Sequence, residues 1–340
     1  MTDSLLDAFE RALAGLCTDE QVRRSEAGED ADAQWQAVDA LGFTDALMPA
    51  EQGGAGLSLD DAFPLFAAAG RAGLSHPFAE TVIARALLAA AGHAHRGECL
   101  AIATAQPRQD DAIVCREVPG ALLAHQVLVA WRGEWLLLPR ALAQATPGAW
   151  RPQASASLHW SSAAQAVFRT AADADADATA ICNAAHAAGM AGAMARVQAM
   201  SIAYVNDRRQ FGRAISQFQA MQQELSVLAE QADAAAFGAR LGCAGAGFLP
   251  RPLLAAAAKL RCAEAASRVA AIAHAVHGAI GITEALALGL FTRRLHEWRA
   301  CGGTETDCAT ALGDALFAQD TGAGQEILDF VRLRLAPASA

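Results

Sequence analysis

Residues Ile181 to Gln222 read ICNAAHAAGMAGAMARVQAMSIAYVNDRRQFGRAISQFQAMQ. Up to Arg208 the run is apolar nearly all round, which predicts a helix buried at the centre of a bundle. Gln210, Phe211 and Gly212 end it. A second helix is predicted from about Gln217 to Cys243 and a third, beyond the loop GAGFLPRP, from about Leu253 to His277. Shorter helices are predicted around 283–298 and 304–318. Short connections between such helices make an antiparallel four-helix bundle the natural packing.

Upstream, Asp3 to about Gly92 shows apolar residues at helical spacing, interrupted by the loop MPAEQGGAGLSLDD, where Ser58 or Asp60 can cap the next helix. Between about Cys99 and Phe168 the texture changes to short runs, LAIATA, DAIVC, ALLAHQVLVAW and EWLLL, and four of the six Trp lie here. Such runs predict a small β domain. ADADADATA, from Ala172 to Ala180, cannot form an apolar stripe and reads as a solvated link whose last acids favour a helix N-terminus. The expected organisation is mainly α with a small β domain: an N-terminal helical domain over 1–95, the β domain over 96–170 and a C-terminal bundle over 171–340.

At 340 residues, 54% apolar and 18% charged, the chain can bury a large core. Its net charge of −10 argues against nucleic acid as a partner. The N-terminus carries acids where a signal peptide carries basic residues, and no segment reads as a membrane span, so a soluble cytoplasmic protein is expected. The eight cysteines form no C-x-x-C pair and read as buried free thiols. His274 and His277, three apart with no third ligand in register, read as a helix face, and no metal is expected.

The break at Arg208, Arg209, Gln210, Phe211 and Gly212, with Gln219 seven residues beyond Gly212, is chemically useful. Arg makes bidentate bonds to a pyrophosphate, free N–H groups lie at the next helix start, and Phe offers a stacking face; a solvated basic turn is the plainer reading of the pentapeptide alone. The longer string YVNDRRQFGRAISQFQAMQ resembles the helix-turn-helix signature of acyl-CoA dehydrogenases. In that family an Arg, the Phe and the downstream Gln bind the diphosphate and adenine end of an FAD held by a neighbouring subunit. The resemblance assigns these roles to Arg208, Phe211 and Gln219. AVHGAIGITEALALGLFTRR, from Ala275 to Arg294, is similar to the family's glycine turn on the adenine side of FAD. His277, Gly278 and Gly281 fit that turn, and Ala275 stands where the family has a Gln. At the N-terminal end, the glycine loop and the Pro77 to Thr81 segment PFAET resemble the family's entry segment, whereas its Thr-Glu-Pro motif is not recognisable in the β region.

CGGTETDCATALGDALF begins at Cys301 and runs into a helix that Thr304 can cap. The family sets an aromatic residue, the catalytic Glu, Gly and Thr in this row; here stand Cys301, Gly302, Gly303 and Thr304. Gly302 cannot abstract a proton, while Gly303 and Thr304 match the elements that approach the flavin. Some members carry the Glu on the first long bundle helix instead. That position falls on Cys182, with Ala180 and Asn183 beside it, and none is a carboxylate. Glu305 lies within three residues of Gly302, and stabilising a helix start is the commoner role of such an acid.

The resemblance implies α,β-dehydrogenation of an acyl-CoA thioester, in which a carboxylate removes the α proton and FAD accepts the β hydride. Losing a general base forfeits about 10²- to 10⁴-fold in rate. The expectation is therefore a subunit of a hetero-oligomer, α2β2 in form, whose partner supplies the Glu and the substrate pocket. Two other readings stay open: a homomeric flavoenzyme with other chemistry such as monooxygenation, and a non-catalytic structural subunit. Paired subunits of this sort resemble those acting on bulky or ring-bearing CoA thioesters, and nothing in the residues selects the acyl group.

Overall fold

The computed structural model describes residues 3–149, 154–173, 175–318 and 326–335; Trp150 and Ala174 lie outside them. Five helices come first: α1 (Asp3–Leu16), α2 (Asp19–Glu26), α3 (Ala31–Asp39), α4 (Leu59–Ala72) and α5 (Phe78–Ala90). Seven strands follow: β1 (Leu100–Thr104), β2 (Ile113–Val118), β3 (Gln126–Trp131), β4 (Glu134–Pro139), β5 (Gln144–Pro147), β6 (Ala156–Trp160) and β7 (Phe168–Ala171). The remainder comprises α6 (Ala178–Asp207), a hairpin of β8 (Arg209–Gln210) and β9 (Arg213–Ala214), α7 (Gln219–Gly242), α8 (Pro252–His277), α9 (Leu288–Ala300), α10 (Glu305–Phe317) and α11 (Glu326–Phe330).

The strands make a four-stranded sheet, ordered β1-β3-β4-β7 with β1 and β3 parallel, and an antiparallel three-stranded sheet, β2-β6-β5. Alternation along the first sheet explains its unbroken apolar runs. Leu100, Ile102, Leu128, Trp135 and Leu137 face the helical core, and the intervening Ala101, Ala103, Val127, Val129, Leu136 and Leu138 face the second sheet. A sheet covered on both faces needs no polar side, so its strands read as continuous hydrophobic segments.

Asp177, the last acid of the link, starts α6 by accepting from the Thr179 and Ala180 amides at 2.7 and 3.3 Å. α6 is buried on all sides from Ala180 to Met194 and packs against α4, α7, α8 and α9. Two glycines set how closely α4 lies on it: a Cβ on Gly70 would run into the Gly189 carbonyl, and one on Gly192 into the Ala67 carbonyl. The crossing is therefore backbone against backbone, which only glycine permits.

Two expectations need correction. Residues 283–287 are not helical, and the next helix begins at Leu288, because the chain runs through a 3₁₀ turn at Gly278–Ile282 and an exposed loop before it can resume. Secondly, Pro252–Ile282 is long and apolar enough, by length and composition, to cross a bilayer. Its apolarity has a nearer cause, since Leu254, Ala258, Cys262, Ala266, Val269 and Ala273 are buried in the bundle.

Candidate functional site

At the end of α6, Arg208 turns to an extended conformation and its carbonyl accepts from the Ile215 amide at 2.9 Å, closing the hairpin. The register pairs Arg209 with Ala214 and Gln210 with Arg213, leaving Phe211 and Gly212 as the turn. Their φ values are +49° and +81°, the left-handed pair required by a type I′ turn. Gly212 adopts this freely. Phe211 does so at a cost on the order of 1 kcal/mol, and its side chain is 90% exposed, so burial within the chain does not offset that cost. Arg208, Arg209 and Gln219 are exposed too, and neither arginine forms an ion pair with a described residue. The hairpin thus presents an aromatic ring and the unpaired Arg208 guanidinium, which suits an anionic group attached to a flat ring system.

The glycine turn lies beside it. Tyr204 donates its hydroxyl to the His277 carbonyl at 3.2 Å, their rings stand 4.5 Å apart, and Val205, Ile215 and Val276 form a shared apolar cluster beneath. The His277 ring is turned inward, with Nδ1 2.8 Å from the Ala273 carbonyl. Gly278, at φ +63°, is exposed, and Gly281 is buried where a Cβ would press on His277 and Leu288. Folding therefore joins the first two sequence strings on one surface.

The third string is elsewhere. Gly302 and Gly303 lie against the start of α6, where a Cβ on Gly302 would stand 3.4 Å from His186 Nδ1 and 3.5 Å from Cys182 Cβ. From Cys182 to Arg208 the helical rise amounts to roughly 39 Å. Both backbone groups of Gly303 are engaged inside the chain: its amide donates to Asn183 Oδ1 at 3.0 Å and its carbonyl accepts from Lys259 Nζ at 2.8 Å. Thr304 caps α10 and shares its hydroxyl with Asp307. Glu305 is gripped by Arg299 at 2.5 and 3.1 Å, and that pairing holds its carboxyl below the usual range. A carboxylate so held is a poor proton acceptor.

Lys259 is fully buried, and burial lowers its pKa. Its ammonium bonds the carbonyls of Cys301 and Gly303 at 2.5 and 2.8 Å, fixing the loop that carries Gly302. Lys259→Met should cost about 2 to 4 kcal/mol by orphaning two buried carbonyls. Urea unfolding checks this, and a loss below about 1 kcal/mol would show that the loop does not depend on the lysine.

Behind the loop, α4, α5, α6, α9 and the segments just after β2 and just before β6 border a partly open cavity of about 40 Å³, lined by His76, Glu80, His186, Arg294, Glu297 and Trp298. That is room for a few waters at roughly 10–15 Å³ each, far below the several hundred Å³ of a typical ligand pocket. Its walls are unusually ionisable. His186 Nε2 stands 3.1 Å from Glu80 Oε1, and burial lowers the histidine. Burial pushes His76 down to about 4 and Glu297 up to about 7. Arg294 pairs with Glu26 and donates to the Gly73 carbonyl at 2.6 Å. Sequence reasoning missed this cluster. Its one clear local signal was His186, the only Asp, Glu, Lys, Arg or His between Ala178 and Ala195 of α6. Among the described residues no group of three or more His, Cys, Asp or Glu could hold a metal, and all eight cysteines are buried and free.

Helices around a double-sheet β region, with a basic hairpin at the end of the central bundle helix, define the acyl-CoA dehydrogenase architecture. Residues 181–309 match the family model described as acyl-CoA dehydrogenase, C-terminal domain. It is similar to 3-sulfinopropanoyl-CoA desulfinase of Paraburkholderia xenovorans (strain LB400), 32% identical over 120 residues, covering 35% of this chain and 31% of the relative. It is also similar to acyl-CoA dehydrogenase IpdE2 of Mycobacterium tuberculosis (strain ATCC 25618 / H37Rv), 36% identical over 110 residues, covering 32% of this chain and 33% of the relative. The match thus spans about a third of the length of these relatives. In fold, the chain is like one in the crystal structure of the ChsE4-ChsE5 complex from Mycobacterium tuberculosis, with a TM-score of 0.79 at 18% identity, covering 95% of this chain and 99% of that one.

Proposed function

We propose that this chain is the subunit lacking the base in a hetero-oligomeric, FAD-dependent acyl-CoA dehydrogenase. It lends Arg208, Phe211 and Gln219, with the Gly278–Gly281 turn, to a flavin seated in a partner subunit of the same fold. The partner supplies the catalytic Glu and the acyl-CoA pocket, in an assembly of α2β2 form. One observation carries the reading: the exposed, unpaired hairpin and the flavin-facing loop stand at opposite ends of α6, roughly 39 Å apart. One dinucleotide cannot touch both within this chain, so the hairpin serves a neighbour.

The chain's own half-site supports the same division. Gly302 offers no carboxylate, Glu305 is held by Arg299, and the cavity of about 40 Å³ admits no acyl chain. When bound, the flavin would supply a hydride acceptor for the β carbon of the thioester. This chain's part is to orient the diphosphate and adenine end with guanidinium bonds and to cover it with the Phe211 ring. In the cytoplasm such an assembly would act on a CoA thioester whose acyl group the partner selects.

The test is expression of the chain alone and together with a neighbouring full-length dehydrogenase subunit. The complex is expected to co-purify with flavin at one FAD per pair of unlike chains and to oxidise an acyl-CoA, while the single chain is poorly flavinylated and inactive. Robust acyl-CoA turnover by the purified single chain refutes the proposal, and a colourless complex favours a purely structural subunit.

A further inference from the structure

We propose that Arg213 is a second diphosphate-binding residue, an inference that rests on the function proposed above. Strand alternation in the hairpin sets Arg208, Gln210 and Arg213 on one face and Arg209 with Ala214 on the other. Arg213 is exposed, and its guanidinium carbon lies 4.1 Å from the centroid of the Phe218 ring. The Phe211 ring meets that same ring edge-on at 6.1 Å. A guanidinium resting on an aromatic face is held in place while its in-plane N–H groups stay free, so little freedom is lost when it binds an oxyanion. Arg213 makes no ion pair with a described residue. Phe218 is followed directly by Gln219, which brings this stacked cation next to the start of α7.

A diphosphate carries two phosphoryl groups, and each accepts one bidentate guanidinium. Arg208 alone answers one of them. Arg213, on the same face and already oriented by Phe218, answers the other, and Arg209 on the opposite face answers neither. The assignment makes a distinction within a cluster of three arginines that charge alone does not make. It also gives Phe218 a purpose, as the platform for the second grip.

The experiment uses the reconstituted complex with its catalytic partner, with FAD affinity measured by flavin fluorescence and FMN, which has no diphosphate, as the second probe. Arg213→Gln is expected to weaken FAD binding about ten-fold or more, the scale of a lost hydrogen-bonded charge pair, and to leave FMN binding unchanged. Arg213→Lys should recover only part of the loss, because a point charge lacks the planar fork. Arg209→Gln should stay within about two-fold, given its position on the far face. If Arg208→Gln weakens FAD binding and Arg213→Gln does not, Arg213 merely covers Phe218 and the inference is overturned while the proposed function stands. If neither variant changes FAD affinity, the hairpin is no dinucleotide site and both fall. Equal losses for Arg209→Gln and Arg213→Gln would show a diffuse charge effect, which also overturns the inference.

Discussion

Gly192→Ala should destabilise the protein by about 3 kcal/mol or more, near the upper end for single substitutions. The added methyl would occupy the space of the Ala67 carbonyl and crowd the Arg71 amide, both on the backbone of α4. No rotamer relieves a clash between a Cβ and a main chain. Relief requires α4 to slide off α6, which in turn disturbs Leu65, Phe66 and Ala69 where they enter the common core. Gly238→Ala is the matched control, because a Cβ there meets only the flexible side chain of Arg261 at 3.3 Å. That change should be nearly neutral or slightly stabilising, since alanine is the better helix former. Urea midpoints of the two variants check the contrast, and similar values for both would mean that the α4–α6 crossing is looser than its geometry implies.

Glu297→Gln should change how stability depends on pH. Burial raises the Glu297 carboxyl from 4.5 to about 7, so between these values the folded protein holds a proton that the unfolded chain has released. Stability accordingly falls as the pH rises through that window, by roughly 3 kcal/mol in total. His76 acts in the opposite sense: burial lowers it from 6.5 to about 4, and stability is lost as the pH falls through that interval. The difference between variant and wild type isolates the glutamate from the histidine. The expected result is near-equality at about pH 4.5, with the Gln variant progressively more stable up to about pH 7 and a constant advantage beyond. Parallel curves for the two proteins across roughly pH 5–8 would show that Glu297 is already ionised when the protein folds.

These two residues mark the kinds of information that a sequence carries and withholds. The long apolar run ending in Gln210, Phe211 and Gly212 was readable as a central helix followed by a break, because burial all round and a helix terminus each leave a local signature. The strands were readable for the same reason, although two-sided burial erased the alternation that normally identifies a sheet face. Local patterning failed at residues 283–287, where periodicity continued through a loop that the glycine turn forces open.

The absence of a carboxylate at Gly302 was determined by the sequence alone, as was the set of residue types in the hairpin, since both are matters of which side chains exist. Only the tertiary structure decided that the hairpin and the glycine turn share a surface while Gly302 lies at the far end of α6. It alone paired Glu80 with His186 and set Lys259 beneath the loop. The reason is physical: a buried ionisable residue is tolerated only through its partners, and those partners come from other elements, brought near by packing rather than by any pattern along the chain.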